Sequence, residues 1–413
     1  MVILEALNAL AGDCLLLRYK GPDGKEVIWL IDGGPQTDNN KEITVWSDVL
    51  LPRLREIGQE LKVKGPLPIA LGMVSHADDD HINGIQKVTD RLRNVSPANP
   101  APVKFERFWF NSFNNLVGPK PQGLSSDADA EVASLQSSDP KKPPPIGLDD
   151  VAGVDDHERE HSGLVMQSIG QGIALAGDLA ALSLAGNLPV GGLVMAKVGQ
   201  PKFDIKGAKV TVVGPLEKRI EALRKEWQAA LKEPDKKKRK EALQELFLPS
   251  KKLDKSITNL SSIVVLVEVD GKTLLLTGDA HGDDVVKAWA ELNLPTPARV
   301  DLLKMPHHGS IRNVTEEFMA FFQATHYVFS ADGKHDNPDA PTVEALVQLH
   351  GHREIVLHFT NAEVEWAESY KLEINDKEVA NLADLLTELK VAYGGKWKSN
   401  MRNEDDHSVI VKL

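Results

Sequence analysis

An α/β fold is predicted by two observations. Apolar runs with strand character alternate with helical stretches along most of the chain, and three of those runs end in clusters of Asp and His. The chain has 413 residues, 42% of them hydrophobic and 26% charged, which is ordinary globular composition with ample material for a large core. A formal net charge of −12 argues against a generally basic nucleic-acid-binding surface, although a locally basic groove stays open. Cys14 is the sole cysteine, so an internal disulfide framework and a cysteine zinc cluster are both excluded. It reads as a small buried residue of an N-terminal strand.

The first residues, Met1-Val2-Ile3-Leu4-Glu5-Ala6-Leu7, carry an acid and no basic leader, so they read as a strand rather than a signal peptide. No apolar run approaches the length of a membrane span, and a soluble, cytoplasmic protein without a membrane partner is expected. Apolar segments near residues 13–19 and 26–31 flank Gly21-Pro22-Asp23-Gly24, a hairpin turn signal. The second segment ends in Asp32-Gly33-Gly34, where a glycine pair lets the backbone approach something closely. Residues 47–59 read as helix. Leu67, Ile69, Leu71, Met73 and Val74 read as one buried strand, Asn83-Gly84 as a turn or helix start, and 85–92 as helix.

Between that strand and that turn lies His76-Ala77-Asp78-Asp79-Asp80-His81, which crowds five metal-competent side chains onto a loop at a strand end. Chelation gives such crowding a reason. Three adjacent carboxylates without a cation raise one another's pKa values, whereas a tight loop lowers the entropy lost when ligands converge on an ion. The competing reading is a solvated acidic loop with two incidental histidines.

From about residue 112 the texture changes. Residues 118–156, rich in Pro, Gly, Ser and Asp and including Lys141-Lys142-Pro143-Pro144-Pro145, read as a long exposed loop, followed by helix at about 166–185. Residues 216–247 carry a helical pattern broken by Pro234 and by the basic run Lys236-Lys237-Lys238-Arg239-Lys240. That run is a solvated helix face, or alternatively a phosphate contact or cleavage-prone linker. Alternation resumes with strand 263–269, a type I′ turn at Asp270-Gly271, and a strand ending in Thr277-Gly278-Asp279. After a further helix, Val300 to Met305 forms a strand ending in Pro306-His307-His308-Gly309-Ser310.

In order and spacing, Asp32-Gly33-Gly34, HADDDH, LLLTGDA at 274–280 and LLKMPHHGS at 302–310 resemble the metallo-β-lactamase fold superfamily. The closest likeness is to the hydrolase domain of the ComEC DNA-uptake proteins and its free-standing relatives, with Gly12-Asp13-Cys14 supplying the N-terminal strand motif. The resemblance covers roughly residues 1–110 and 200–360. It implies a four-layer αβ/βα sandwich over residues 1–360, with insertions at about 112–200 and 216–256 and a C-terminal extension, 361–413, packed on the same domain. Carried over, His76 and Asp78 would bind one metal, Asp80 and His81 the other, Asp279 would bridge, and His307 would complete the second site.

Where many superfamily members have His, about 20 residues before the bridging Asp, this chain has Asn259. Asn259 then serves either as a weak ligand through its amide oxygen or as a partner of a ligand. Asp78 and Asn259 together make the first site oxygen-rich, which suits Mn²⁺ as well as Zn²⁺, and two divalent ions of either kind are expected. His161, with His157 four residues earlier, either substitutes for the missing imidazole or lies on a polar surface loop.

The implied chemistry is hydrolysis by a metal-activated water. Asp80 is the candidate to position that water, and His308 either stabilises the oxyanion or protonates the leaving group, or else packs beside the ligand His307. His335-Asp336-Asn337-Pro338 and His358-Phe359-Thr360 stand where the relatives keep polar segments near the site. A phosphodiester, foremost nucleic acid, is the substrate the resemblance implies. Free-standing relatives also suggest an immunity effector, restrained through the inserted loops by a regulatory partner or released by a protease. The alternatives are a small ester, lactone or phosphocholine-type substrate, or a non-catalytic binding module, against which the full ligand set counts.

Overall fold

The computed structural model describes residues 1–36, 43–119, 121–135, 156–246, 257–366, 372–374 and 377–413. The Pro-rich stretch at 143–145 and the side chains of His157 and His161 lie outside the described residues. Two large sheets face each other. One runs in the order Ser408–Lys412, Ile3–Leu7, Leu15–Lys20, Glu26–Ile31, Leu71–Val74, Phe108–Phe110, antiparallel at first and parallel for the last two additions. The other runs Lys398–Met401, Val356–Phe359, Phe322–Phe329, Ala298–Lys304, Lys272–Leu276, Val264–Val269, Ala208–Gly214, Phe203–Ile205.

Strand alternation sorts the core into layers. Leu17, Trp29, Leu71 and Met73 of the first sheet meet Val212, Val265, Leu274 and Leu302 of the second in an inter-sheet cluster. On the outer face of the first sheet, Leu16, Ile28, Leu30 and Val74 pack against Leu54 and Ile57 of helix Leu51–Glu60 and Ile82, Ile85 and Val88 of helix Asp79–Arg93. On the outer face of the second, Leu266, Leu275 and Leu303 pack against Val285 and Trp289 of helix Gly282–Glu291 and Val343 and Leu346 of helix Ala340–His350. Helices, sheet, sheet and helices make the four-layer αβ/βα sandwich. No described helix is long and apolar enough to cross a membrane.

Four local expectations change. The run from Leu67 to Val74 is two strands, Leu67–Ile69 paired with Val103–Phe105 and Leu71–Val74 in the main sheet. Ile69 belongs to the outer cluster and Leu71 to the inter-sheet cluster; two residues apart on an unbroken strand they would share a face, so the chain breaks at Ala70. The helix expected over 85–92 starts inside the HADDDH motif at Asp79, so His76 and Asp78 lie on a short link after the strand end, while Asp80 and His81 lie in the first helical turn. Asn83-Gly84 is helix interior, not a turn. Finally, the stretch read as loop holds helix Ser126–Leu135, and the next helix runs over Asp156–Ala181, starting ten residues before 166.

The Gly33 expectation acquires a partner. A Cβ on Gly33 would lie 2.4 Å from the Ile85 nitrogen, and one on Gly84 would lie 2.1 Å from the Gly33 oxygen, so both glycines permit one close crossing of backbone. Asp270 and Gly271 both have positive φ, 52° and 71°, as a type I′ turn demands. The basic run lies on helix Lys236–Glu245, separated at Pro234 from helix Glu217–Lys232. Both inserts share one satellite core, in which Ile169, Ile220, Trp227 and Leu243 join Leu260. Past residue 361 the chain supplies an edge strand to each sheet.

Candidate metal centre

Asp32, His76, Asp279, His307 and His308 all follow strand ends, and Asp13 lies two residues before the strand Leu15–Lys20, so the two sheets present them along one shared edge. The carboxylates and imidazoles expected from sequence converge there. His76 Nε2 lies 3.7 Å from Asp78 Oδ2 and 3.9 Å from Asp279 Oδ2. His81 Nε2 lies 3.3 Å from Asp279 Oδ1 and 3.8 Å from Asp80 Oδ1. His307 Nε2 and His308 Nε2 approach Asp279 Oδ2 at 3.7 and 3.4 Å, and His308 Nε2 also meets Asp80 Oδ2 at 3.2 Å. Asp279 is thus the hub. Asp80 has 32% of its side chain exposed, against 10% for Asp78 and 3% for Asp279, so it faces the solvent side of the centre.

Each imidazole is held by its other nitrogen. His81 Nδ1 meets the Asp32 carboxylate at 3.0 Å, and His308 Nδ1 meets the Ser330 carbonyl at 2.8 Å; both partners only accept, so both Nδ1 atoms donate. Ser75 Oγ gives its proton to Asp32 at 2.8 Å, which leaves its lone pairs to accept from His76 Nδ1 at 3.0 Å. Asn313 Nδ2 donates to the Asp279 carbonyl, so its Oδ1 accepts from His307 Nδ1 at 2.8 Å. All four Nε2 atoms therefore turn toward the carboxylates, the tautomer and orientation that metal-binding imidazoles take. His76 Nε2, His81 Nε2 and Asp279 Oδ1 are buried with no hydrogen bond of good geometry among the described residues. Leaving such atoms unsatisfied costs about 1–3 kcal/mol each, and a divalent cation removes that cost, so the residues present fit one.

The same carboxylates also favour protons on the imidazoles. Burial opposes charging His81 and His308, but Asp279, with Asp80 at His81 and Asp13 at His308, outweighs it and holds both well above the usual imidazole range. Burial likewise pushes Asp279 up, yet His308, His81 and His307 hold it well below the ordinary carboxylate value. Asp13, fully buried, is drawn down to about 2 against burial by Lys304, His308 and His81.

Several residues at the centre escaped the sequence reading. In the sequence Asp13 stands only as part of a motif, yet with His81, Asp279 and His308 it forms a buried quartet whose ligand atoms all lie within 4.8 Å of one another. Lys304 pairs with Asp13. A lysine inside the apolar run Leu302-Leu303-Lys304-Met305 was the available signal, since an unpaired buried ammonium is costly. The inserted helix Asp156–Ala181 contributes as well: Ser168 Oγ donates to Asp78 Oδ1 at 3.0 Å, and Gln171 Nε2 to Asp79 Oδ1 at 2.8 Å. Gly172 lets that helix seat against the motif, for a Cβ there would stand 3.0 Å from the Ala77 Cβ. Nothing in the sequence pairs residue 168 with residue 78.

Asp79, by contrast, turns away from the centre. Burial and the neighbouring Asp80 and Asp78 raise its pKa, against hydrogen bonds from Gln171 and Asn83. Asn259 is buried; its carbonyl accepts from Ser262 N, and Ser262 Oγ in turn accepts from Asp279 N at 3.3 Å. His358 lies elsewhere, hydrogen-bonded to His326 at 2.9 Å and to Asn400 at 3.0 Å. His307 and His308 both hold left-handed backbone, φ 44° and 56°, a conformation costing about 1–3 kcal/mol that clusters at functional sites.

No family model matches this chain, and no curated protein does. Among solved structures, a metallo-beta-lactamase from Cronobacter sakazakii (Enterobacter sakazakii) mutated in its HARLDQ motif aligns over 73% of this chain and 75% of its own, at 13% identity and TM-score 0.27. A second structure of the Cronobacter sakazakii HARLDQ-motif enzyme aligns over 70% of each chain at 14% identity and TM-score 0.26. A mutant of CmlA beta-hydroxylase aligns over 100% of this chain but 54% of its own, at 11% identity and TM-score 0.34. Likeness at this level carries no weight, and the architecture rests on the sheets and layers of the chain itself.

Proposed function

We propose that this chain is a metal-dependent hydrolase that cleaves phosphodiesters, with nucleic acid as the substrate class and two divalent cations, Zn²⁺ or Mn²⁺, at the centre. The observation that carries the reading is the set of four imidazoles with Nδ1 tied to protein acceptors and Nε2 converging on Asp78, Asp80 and Asp279. Cations held there would polarise a phosphoryl oxygen and lower the pKa of a water. His76, Asp78, Asp80, His81, Asp279 and His307 are the residues to hold them.

The chain's own groups supply the rest. Asp80, about one-third open to solvent and hydrogen-bonded to His308 Nε2, orients the attacking water. His308, its Nδ1 fixed by Ser330, offers a proton from Nε2 to the developing charge or the leaving oxygen. Buried walls exclude other water from the imidazole side.

Purified protein incubated with Mn²⁺ or Zn²⁺ and plasmid or single-stranded DNA should cleave it, while His76→Ala and Asp80→Ala should not; equal cleavage by all three ends the proposal. The charge of −12 favours a second substrate class, small esters or lactones, because a polyanion approaches against it. Strong turnover of a chromogenic lactone with inert DNA would decide for that class.

A further inference from the structure

Lys304 is fully buried at the end of strand Ala298–Lys304. Leu303 faces the outer helices, so alternation turns Leu302 and Lys304 inward between the sheets. There the ammonium contacts Asp13 Oδ2 and stands 3.9 Å from Asp279 Oδ1. Both carboxylates belong to the buried quartet with His81 and His308, which has the donor chemistry of a cation site of its own. That position already has a cation at its edge.

Charge balance gives the lysine a purpose. Five carboxylates, those of Asp13, Asp32, Asp78, Asp80 and Asp279, gather around the centre, and the Lys304 ammonium meets two of them, Asp13 and Asp279. A buried ammonium loses several kcal/mol of hydration and is tolerated only when closely paired, so its place beside Asp13 is a built feature of the cluster.

We propose that Lys304 is an internal cation of the metal centre: it fills the Asp13 side of the carboxylate cluster, confines divalent ions to the more accessible donors, and weakens their binding below what a neutral residue would allow. The inference rests on the metal-centre reading above. A residue that merely packed would act in the opposite direction, since its loss would loosen the site and weaken metal binding. Removing one positive charge this close to two divalent ions, in a partly dehydrated site, should tighten binding by at least about tenfold.

The test is calorimetric titration of chelator-stripped full-length protein with Zn²⁺ and separately Mn²⁺, comparing wild type with Lys304→Met, which keeps the length and apolar stem. Tighter binding by tenfold or more, or an additional bound equivalent, supports the proposal. Unchanged or weaker binding at unchanged stoichiometry overturns it. Should Lys304→Met not fold, Asp13→Asn and the double variant Asp13→Asn/Lys304→Met make the same comparison with one carboxylate fewer, and the double variant should bind more tightly than Asp13→Asn alone. Failure of wild type to take up either metal would instead defeat the metal-centre reading itself, and this proposal with it.

Discussion

At the scale of residues, Asp32 is the hinge of the candidate centre, because one carboxylate accepts from His81 Nδ1, Ser75 Oγ and Ser75 N at once. It is not itself an expected ligand but sets two of them, His81 directly and His76 through Ser75 Oγ. Asp32→Ala should lower metal affinity about 10–100-fold with unchanged circular dichroism, and an unchanged titration would show that the imidazoles need no such support. Ser168→Ala should weaken binding more modestly, with Ser168→Thr restoring it, because only the hydroxyl on Asp78 Oδ1 is removed. The pH dependence follows from the shifted groups. His81 and His308 are raised, so their contribution to metal-free stability is full below the unfolded imidazole pKa of about 6.5 and is lost as pH rises through their folded values. Asp13, Asp80 and Asp279 are lowered, so theirs is present above about pH 4 and lost as pH falls through their folded values. Chelator-stripped protein should therefore be most stable between about pH 4 and 6.5, and the rise in Tm on adding Zn²⁺ should grow from pH 6 to pH 8. A metal-induced rise that shrinks over that range would contradict the assignment.

At the scale of elements, the first turn of helix Asp79–Arg93 is where local and tertiary demands meet. Asp79 and Asp80 sit at the positive end of the helix dipole, which favours them there even before a cation binds. Gly84 weakens the same helix, since alanine in a helix interior is preferred by about 1 kcal/mol. The contact with the Gly33 oxygen reverses that preference: Gly84→Ala should destabilise the fold by about 1–3 kcal/mol in urea denaturation. Stabilisation by that substitution would mean the crossing is slack. The inserted helix Asp156–Ala181 makes a comparable seat on the motif through Gly172, Ser168 and Gln171. It is therefore a wall of the centre, and a releasable restraint would have to act without breaking these contacts.

At the scale of the whole molecule, chain ends close the architecture. Ser408–Lys412 lies alongside Ile3–Leu7 in a five-residue antiparallel register and buries Val409 and Val411 between the sheets. Deleting 408–413 removes both side chains from the core, worth about 1.5–3 kcal/mol each, and should lower the urea midpoint correspondingly; a shift within error would show that this edge is dispensable. A buried network of Glu5 with Arg18 and Arg53 fastens the same sheet to helix Leu51–Glu60. Glu5 is 1% exposed and links two guanidinium groups, which Glu26, Glu56 and Glu60 also hold, so truncating it thins the network from its buried side.

The order of strand ends, the hairpins at 21–24 and 270–271, and the acids and histidines expected at the centre were legible in the sequence, because local turn chemistry and apolar periodicity are written in neighbouring residues. The strand break at Ala70 was not, since it depends on which of two clusters Ile69 and Leu71 enter. Nor were the roles of Asp13, Lys304, Asp32 and Ser168. Their charges and hydroxyl acquire meaning only through partners tens to hundreds of residues away, such as Asp13 with Lys304 or Ser168 with Asp78. Composition and spacing determined that this chain gathers side chains able to bind metal at strand ends. The packing of two sheets and one inserted helix decided which nitrogen of each imidazole faces the centre, and which buried cation it already holds.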